Sequence, residues 1–506
     1  MIKEGKCMKK ISHFLFQQIN NFYIVLIIVT MFGALRATNF NINLISSKLI
    51  LALICFCLIF SFDRSRALLT KLIRLFLRNI KIITFIIILV IPILQFYILS
   101  KISTPIGWDV GGIINNLFNR GAISRYLSLN PNNQFLFFLL YGYAKAVKLV
   151  DIQASSWIYF QLLNIFFIDL SIFFLYKAAD NLFNKRIAYI SVYLYIFWFV
   201  LSPWIQVPYS DTLMVLLTSI VFFFYSKIVL NKSFSLPNLL FLGIFIGISY
   251  LIKPSSIIYV VSFFIIYFLK LIINKNYEIK NKIRNIAITF FSVLIMIFSF
   301  NLFVQKQNVI NYDQNQSKPV SLFISMGMRG TGGYNSKETQ MNEVLKTPKD
   351  RNKYNLHQIK EQLKEYRISG YVKFLIIKHF NNTDRGDFGW GRDGTPQKYP
   401  DNNSERVTNL LRSLYYQQGA LSNNIRFYMQ IIWVVILFGM LCVPKNNNST
   451  KILILKLTII GIFLYLLIFE GGRSRYLIQY LPIIILLSST GWNTIFNKYK
   501  LITKKY

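Results

Sequence analysis

Histidine and cysteine are scarce in this sequence. Its 506 residues hold three histidines and four cysteines. No close cluster of His, Cys and Glu occurs at zinc-ligand spacing, so a zinc site is unsupported. Cys7 lies in a basic N-terminal tail, and Cys55, Cys57 and Cys442 lie in apolar runs. None falls in the long hydrophilic stretch, so no disulfide framework is indicated. Acids are also few, 20 against 56 Lys and Arg. No Walker-type phosphate loop is present, which argues against ATP-driven transport. No internal repeat is evident either, whereas transporters are commonly built from repeated halves.

Apolar residues are what the chain has in abundance. They make up 54% of it and give a mean hydropathy of +0.45. A soluble protein of this composition would expose too much apolar surface. Apolar runs fall at 22–38, 48–62, 82–100, 155–176, 187–205, 211–229, 238–252, 255–273, 285–304, 427–444, 452–470 and 474–492. Their lengths predict an all-α polytopic membrane protein with about twelve transmembrane helices. The first run lacks a small-residue cleavage site and reads as an uncleaved anchor. A net charge of +36 would suggest nucleic acid in a soluble protein. Here the Lys and Arg sit in short gaps between apolar runs. There they set topology and meet membrane lipids, so nucleic acid is not an expected partner.

A thirteenth apolar piece, 135–150, is short and carries Lys145 and Lys148. If it does not cross, the basic gaps around Arg64–Lys81, Lys177–Arg186, Lys227, Lys270–Arg284 and Lys445–Lys456 all fall on one side. That is the positive-inside pattern, with both termini cytoplasmic. The piece then reads as a juxtamembrane or re-entrant helix whose lysines snorkel. Four units are expected. They are an N-terminal helical hairpin with a basic loop (1–81), a transmembrane module with an outer loop at 101–154 (82–304), an extracytoplasmic loop domain (305–426), and C-terminal helices with a basic tail (427–506). Within the loop domain, 338–371 has helical apolar spacing.

Polar groups beside the bilayer point to function or pairing, because burying them otherwise costs free energy. Asp109, in Ile102-Ser-Thr-Pro-Ile-Gly-Trp-Asp-Val-Gly111, follows a span end. It reads as a general base or as a loop anchor. In Tyr126-Leu-Ser-Leu-Asn-Pro-Asn-Asn133, Asn132 and Asn133 can bond a sugar, orient Asp109, or simply build a turn. Asp211 ends the corner Ser202-Pro-Trp-Ile-Gln-Val-Pro-Tyr-Ser-Asp211. It can act beside Asp109, with a metal ion or by positioning the acceptor, or it can cap the next helix. Lys253 precedes a proline at a span end and reads as a phosphate ligand or a snorkelling lysine. Arg473 and Arg475, in Glu470-Gly-Gly-Arg-Ser-Arg-Tyr476, form a concentrated cationic site suited to phosphate. His379 and the run Asp384-Arg-Gly-Asp-Phe-Gly-Trp-Gly-Arg392 complete the set. Phe388 and Trp390 there can stack on a sugar or anchor their own loop.

This layout resembles the GT-C class of integral membrane glycosyltransferases. The nearest group is that of the protein mannosyltransferases and aminoarabinose transferases. The shared features are the outer-loop acid after an early span, the amphipathic helix, the Pro…Asp corner, Lys-Pro at a span end, and a late Arg-Ser-Arg-Tyr-Leu followed by Pro482. They extend over about 82–492, with the first two spans as an addition. The family often carries an acidic pair where this chain has Asp109-Val110. The resemblance implies a polyprenyl-phosphate sugar donor, an envelope glycan acceptor and inverting transfer outside the cytoplasmic membrane. Asp109 would be the base, with Lys253, Arg473 and Arg475 on the phosphate. A divalent cation stays open as a cofactor. Heavy use of Ile, Asn and Lys points to an AT-rich bacterial genome. A lipid-linked glycan polymerase or ligase, or a lipid-linked saccharide flippase, are the competing expectations.

Overall fold

Apolar runs cut by charged and proline-containing gaps fold as helices in the computed structural model of this chain. The structure describes residues 2–41, 47–230, 234–273, 279–390, 405–445 and 449–503, and among them no strand occurs. Arg392, the Asn-rich stretch to 403 and the tail lysines Lys504 and Lys505 lie outside the described residues. Seven helices among the described residues are long and apolar enough to cross a membrane. They lie at Phe14–Leu35, Ile80–Ile102, Ala154–Leu182, Ser210–Leu230, Asn281–Lys306, Ser422–Leu441 and Thr450–Ile468.

The other expected spans are also helical, but shorter or interrupted. Ser47–Ser61 has 15 residues, and Leu236–Ile252 and Ile257–Ile273 have 17 each. The run expected at 187–205 divides into an α-helix, Lys185–Tyr195, a π turn, Ile196–Val200, and a 3-10 turn, Pro203–Gln206. Pro203 brings no amide hydrogen and cannot continue the ladder. The last helix begins at Leu481, later than expected. Ser474–Tyr480 before it is a 3-10 segment. It is held off the helix path because Thr218 Oγ1 donates to Gln479 O at 2.8 Å and Tyr480 OH to Ser255 O at 2.9 Å.

The apolar piece at 135–150 forms the helix Gln134–Ala146, with 13 residues. At 1.5 Å per residue it is about 20 Å long, short of a bilayer core of about 30 Å. Its Phe137, Leu140 and Ala144 are buried. The stretch 338–371 is helical as its spacing predicts, in Ser336–Val344 and Pro348–Thr383, with a kink at Arg367 where φ is 51°.

The first helix, Ile2–Leu35, packs chiefly on Ser422–Leu441 and Thr450–Ile468. Tyr23 OH donates to Met440 O at 2.9 Å, and Lys456 Nζ donates to Asn20 Oδ1 at 2.6 Å. The basic stretch after the second helix is itself a helix, Asp63–Arg78. The stretch 305–426 also touches the long helices. Its residues 378–390 run into the bundle, where Trp433 Nε1 donates to Thr383 O and Trp198 Nε1 to Gly386 O at 2.9 and 2.8 Å.

At the centre is Ser210–Leu230, 72% buried, against Ala154–Leu182 and Leu236–Ile252. Leu236–Ile252 crosses Ile279–Lys306 at a small-residue seam that the sequence reading passed over. A Cβ on Gly243 would lie 2.5 Å from Thr289 O, and one on Gly247 would lie 2.9 Å from Met296 Cβ. Gly-x-x-x-Gly lets two helix backbones come close where no water-driven force holds them together.

Candidate active site

Three chain breaks meet at one end of the bundle: the turn before Trp108, the corner 202–211, and the strap 473–480. The helix Trp108–Ile114 starts with Trp108 at φ 59°. That left-handed backbone costs a bulky residue about 1–3 kcal/mol and persists only where the surroundings impose it. Here it sets the indole under Arg475, whose Cζ lies 4.6 Å from the ring centroid. The next residue, Asp109, is exposed. Its Oδ2 accepts from Tyr209 OH at 3.0 Å. The Tyr126 hydroxyl also faces this carboxylate. Burial, with Asp109 nearby, pushes both phenols well above their ordinary value, so they stay protonated donors. Asn133 Nδ2 donates to Tyr126 OH at 2.8 Å, which ties the Asn-rich turn to Asp109 through one intermediate. Asn132 is exposed on the same turn.

Behind Asp109 lies a buried charge cluster. Asp211, in the first turn of Ser210–Leu230, is 1% exposed. Its Oδ1 accepts from Lys253 Nζ, and its Oδ2 lies 3.5 Å from Arg475 Nε. One carboxylate thus serves two cations, with Glu470 also acting on Lys253 and Asp109 on Arg475. Burial pulls Lys253 below its ordinary value, against the pull of Asp211. Burial also opposes the charge on Arg475, but Asp211, Tyr476, Tyr209 and Asp109 together hold it above its ordinary value. Arg475 is boxed by the rings of Trp108, Tyr209 and Tyr476, at 4.6, 5.9 and 5.4 Å. Among the described residues its guanidinium makes no hydrogen bond, and its Nε is buried without one. Tyr476 OH donates to Glu470 Oε1 at 2.9 Å. Arg473, half-buried, has no ion pair among the described residues.

Chemically, the arrangement offers an open carboxylate and, beside it, cations with N–H groups to spare for an anion. An Asp109–Asp211 metal pair does not fit it. Asp211 has both oxygens committed to cations, and no group of three His, Cys, Asp or Glu that could hold a metal occurs among the described residues.

The comparison of families bears on the whole chain, since a family described as conserved hypothetical integral membrane protein matches residues 11–496. The chain belongs to that family. It is an integral membrane protein. No curated protein and no solved structure matches it.

The remaining expected site residues of this membrane protein are placed elsewhere. Phe388 and Trp390 are 0% and 1% exposed and offer no ring face to a sugar. Positive φ at Phe388 and Gly389, 56° and 75°, turns the run inward. Phe388 then packs 4.8 Å from Trp198, and Trp390 packs edge-on to Trp204 at 5.5 Å. Both rings pack on residues of the corner and the helix before it rather than on their own loop. His379 is also buried, with Nε2 2.9 Å from Thr30 Oγ1 and its ring against Phe463. Burial lowers its pKa to about 4, so it is neutral and structural. Tyr209, Tyr126 and Trp108 escaped the sequence reading as site residues, although each lies in a stretch it singled out. Aromatic residues near span ends are too common to stand out singly.

Proposed function

We propose that this protein is a glycosyltransferase that moves a sugar from a polyprenyl-phosphate donor to an envelope glycan. In this reading twelve helices cross a bacterial cytoplasmic membrane, both termini are cytoplasmic, and Asp109 faces outward. The observation that carries it is the pair of cations, Lys253 and Arg475, that share Asp211 beside the exposed carboxylate of Asp109. Asp109 takes the proton from an acceptor hydroxyl. The acceptor oxygen attacks the anomeric carbon as the bond from that carbon to the phosphate oxygen breaks, so configuration inverts. The electron pair stays on the departing polyprenyl phosphate, and Arg475 and Lys253 stabilise the charge that develops there. Trp108, Tyr209 and Tyr476 keep the guanidinium fixed and shielded from water, where such stabilisation is stronger.

The test is purified protein in liposomes with synthetic polyprenyl-phosphate sugars and isolated envelope glycan. A new glycosidic bond with configuration opposite to the donor's is expected. Retained configuration would exclude direct displacement. Movement of the donor between leaflets with no new bond would favour a flippase. Joining of preassembled lipid-linked glycans, independent of Asp109, would favour a polymerase or ligase.

A further inference from the structure

A cavity unlike the charged site opens beside the turn that carries Asn133. It measures about 570 Å³ and opens between the turn Pro131–Asn133, the outer end of Ile279–Lys306 and the segment that follows. That segment is fixed against the helix Arg120–Leu129. The backbone N–H groups of Asn311 and Asp313 donate to Ser124 Oγ and Ser128 Oγ at 2.9 and 3.0 Å, and that of Lys318 donates to Leu129 O at 3.2 Å. Gln307 spends its whole amide on the wall. It accepts from the Val309 and Ile310 N–H groups at 2.7 and 2.9 Å, and donates to Val304 O and Ile310 O at 3.1 and 3.0 Å.

The other amides are not spent. Gln134, 6% exposed, lines the cavity with a buried Nε2 that has no hydrogen-bond partner. The Tyr312 hydroxyl lies close to that amide. Asn301, Gln305 and Gln314 are exposed amides at the rim, and Phe300 and Tyr312 supply ring faces. No charged side chain lines the space. A buried amide donor left unpaired costs about 1–3 kcal/mol, so an occupant that brings an acceptor is favoured. A lipid tail brings none, and an anion would find no cation. Amides that both donate and accept, beside aromatic faces, suit an uncharged polyhydroxylated ligand. The volume is that of small-ligand sites.

The position fits as well. Gln134 follows Asn133, which supports Asp109 through Tyr126, and the lining residue Leu251 lies beside Lys253 in sequence. We propose that this cavity binds the neutral sugar portion of the acceptor, a role in the reaction that rests on the transferase reading although the binding itself does not.

Saturation-transfer NMR on the detergent-solubilised full chain tests it. The probes are maltotetraose, cellotetraose and chitotetraose, with tetragalacturonate as the charged control. At least one neutral probe is expected to bind wild type and to bind about fivefold or more weakly to Gln134→Leu. Asn301→Ala/Gln314→Ala, which alters only exposed positions, is expected to weaken it similarly and guards against misfolding of the first variant. Binding of no neutral probe, equal binding of tetragalacturonate, or unchanged binding by the double variant would overturn the proposal. Loss of binding in the cavity variants of a protein that transfers no sugar would leave the cavity standing and sink the transferase. Transfer with an unchanged acceptor KM in those variants would do the reverse.

Discussion

Replacing Asp211 by Asn removes the carboxylate that Lys253 and Arg475 share. The side chains of Asp211, Lys253 and Arg475 are 1%, 14% and 8% exposed, so water replaces little of what is lost. Breaking a buried pair from one side costs about 3–5 kcal/mol, because an uncompensated charge stays behind. With an unfolding entropy of about 2.1 cal/mol/K per residue, a chain of 506 residues should lose roughly 3–5 °C in Tm. Lys253→Met should behave differently. It leaves Asp211 paired with Arg475 and removes one of the two cations, whose charge burial disfavours, so Tm should stay within about 1 °C of wild type or rise. Thermal unfolding in detergent, followed by tryptophan fluorescence, separates the two. A short-chain polyprenyl phosphate should raise the Tm of Asp211→Asn more than that of wild type, because it supplies the missing anion. If Asp211→Asn melts with wild type, or if Lys253→Met melts below it, the sharing of Asp211 by two cations is not the organising feature of this site.

Further consequences concern other contacts. Arg475→Lys keeps the charge but loses the planar group boxed by Trp108, Tyr209 and Tyr476, so the donor KM should rise about tenfold while kcat falls less. An unchanged KM would detach Arg475 from the donor. His379 has its pKa lowered by burial to about 4 from 6.5. The unfolded chain therefore binds the proton first as pH falls, and stability drops between about pH 6.5 and 4, by about 3 kcal/mol in all. His379→Gln should remove that slope from a pH series of melting curves, and a slope that persists would place its origin elsewhere. Gly243→Leu should force apart the helices Leu236–Ile252 and Ile279–Lys306, costing about 3 kcal/mol or more and lowering the yield of folded protein. Normal yield and Tm would contradict the close approach at Thr289.

Asp109, Asp211, Lys253 and Arg475 were all legible as candidates, because a charged residue at the end of an apolar run stands out against its neighbours. What they do to one another was not. Asp211 sits 42 residues from Lys253 and far along the chain from Arg475, and only the fold shows that it is held by both. The apolar runs gave helices, but hydropathy does not register Pro203, nor the hydrogen bonds that keep 474–480 out of the last helix. The run 384–390 misled for a related reason. Glycines and charges read as a solvated loop, whereas Arg385 and Asp387 pair in the interior at 2.8 Å and carry Phe388 inward with them. The cavity at Gln134 was invisible, since scattered amides in a hydrophilic stretch have no periodicity to mark them.

The central claim is that Asp109 activates the acceptor while the Lys253–Arg475 cluster receives the phosphate. Transfer of labelled sugar from a synthetic polyprenyl-phosphate donor, measured for wild type and Asp109→Asn side by side, tests it most directly. Loss of transfer in the variant by a factor of about 10² or more, with unchanged Tm and unchanged donor binding, is the predicted result. Transfer by Asp109→Asn at the wild-type rate would contradict the account.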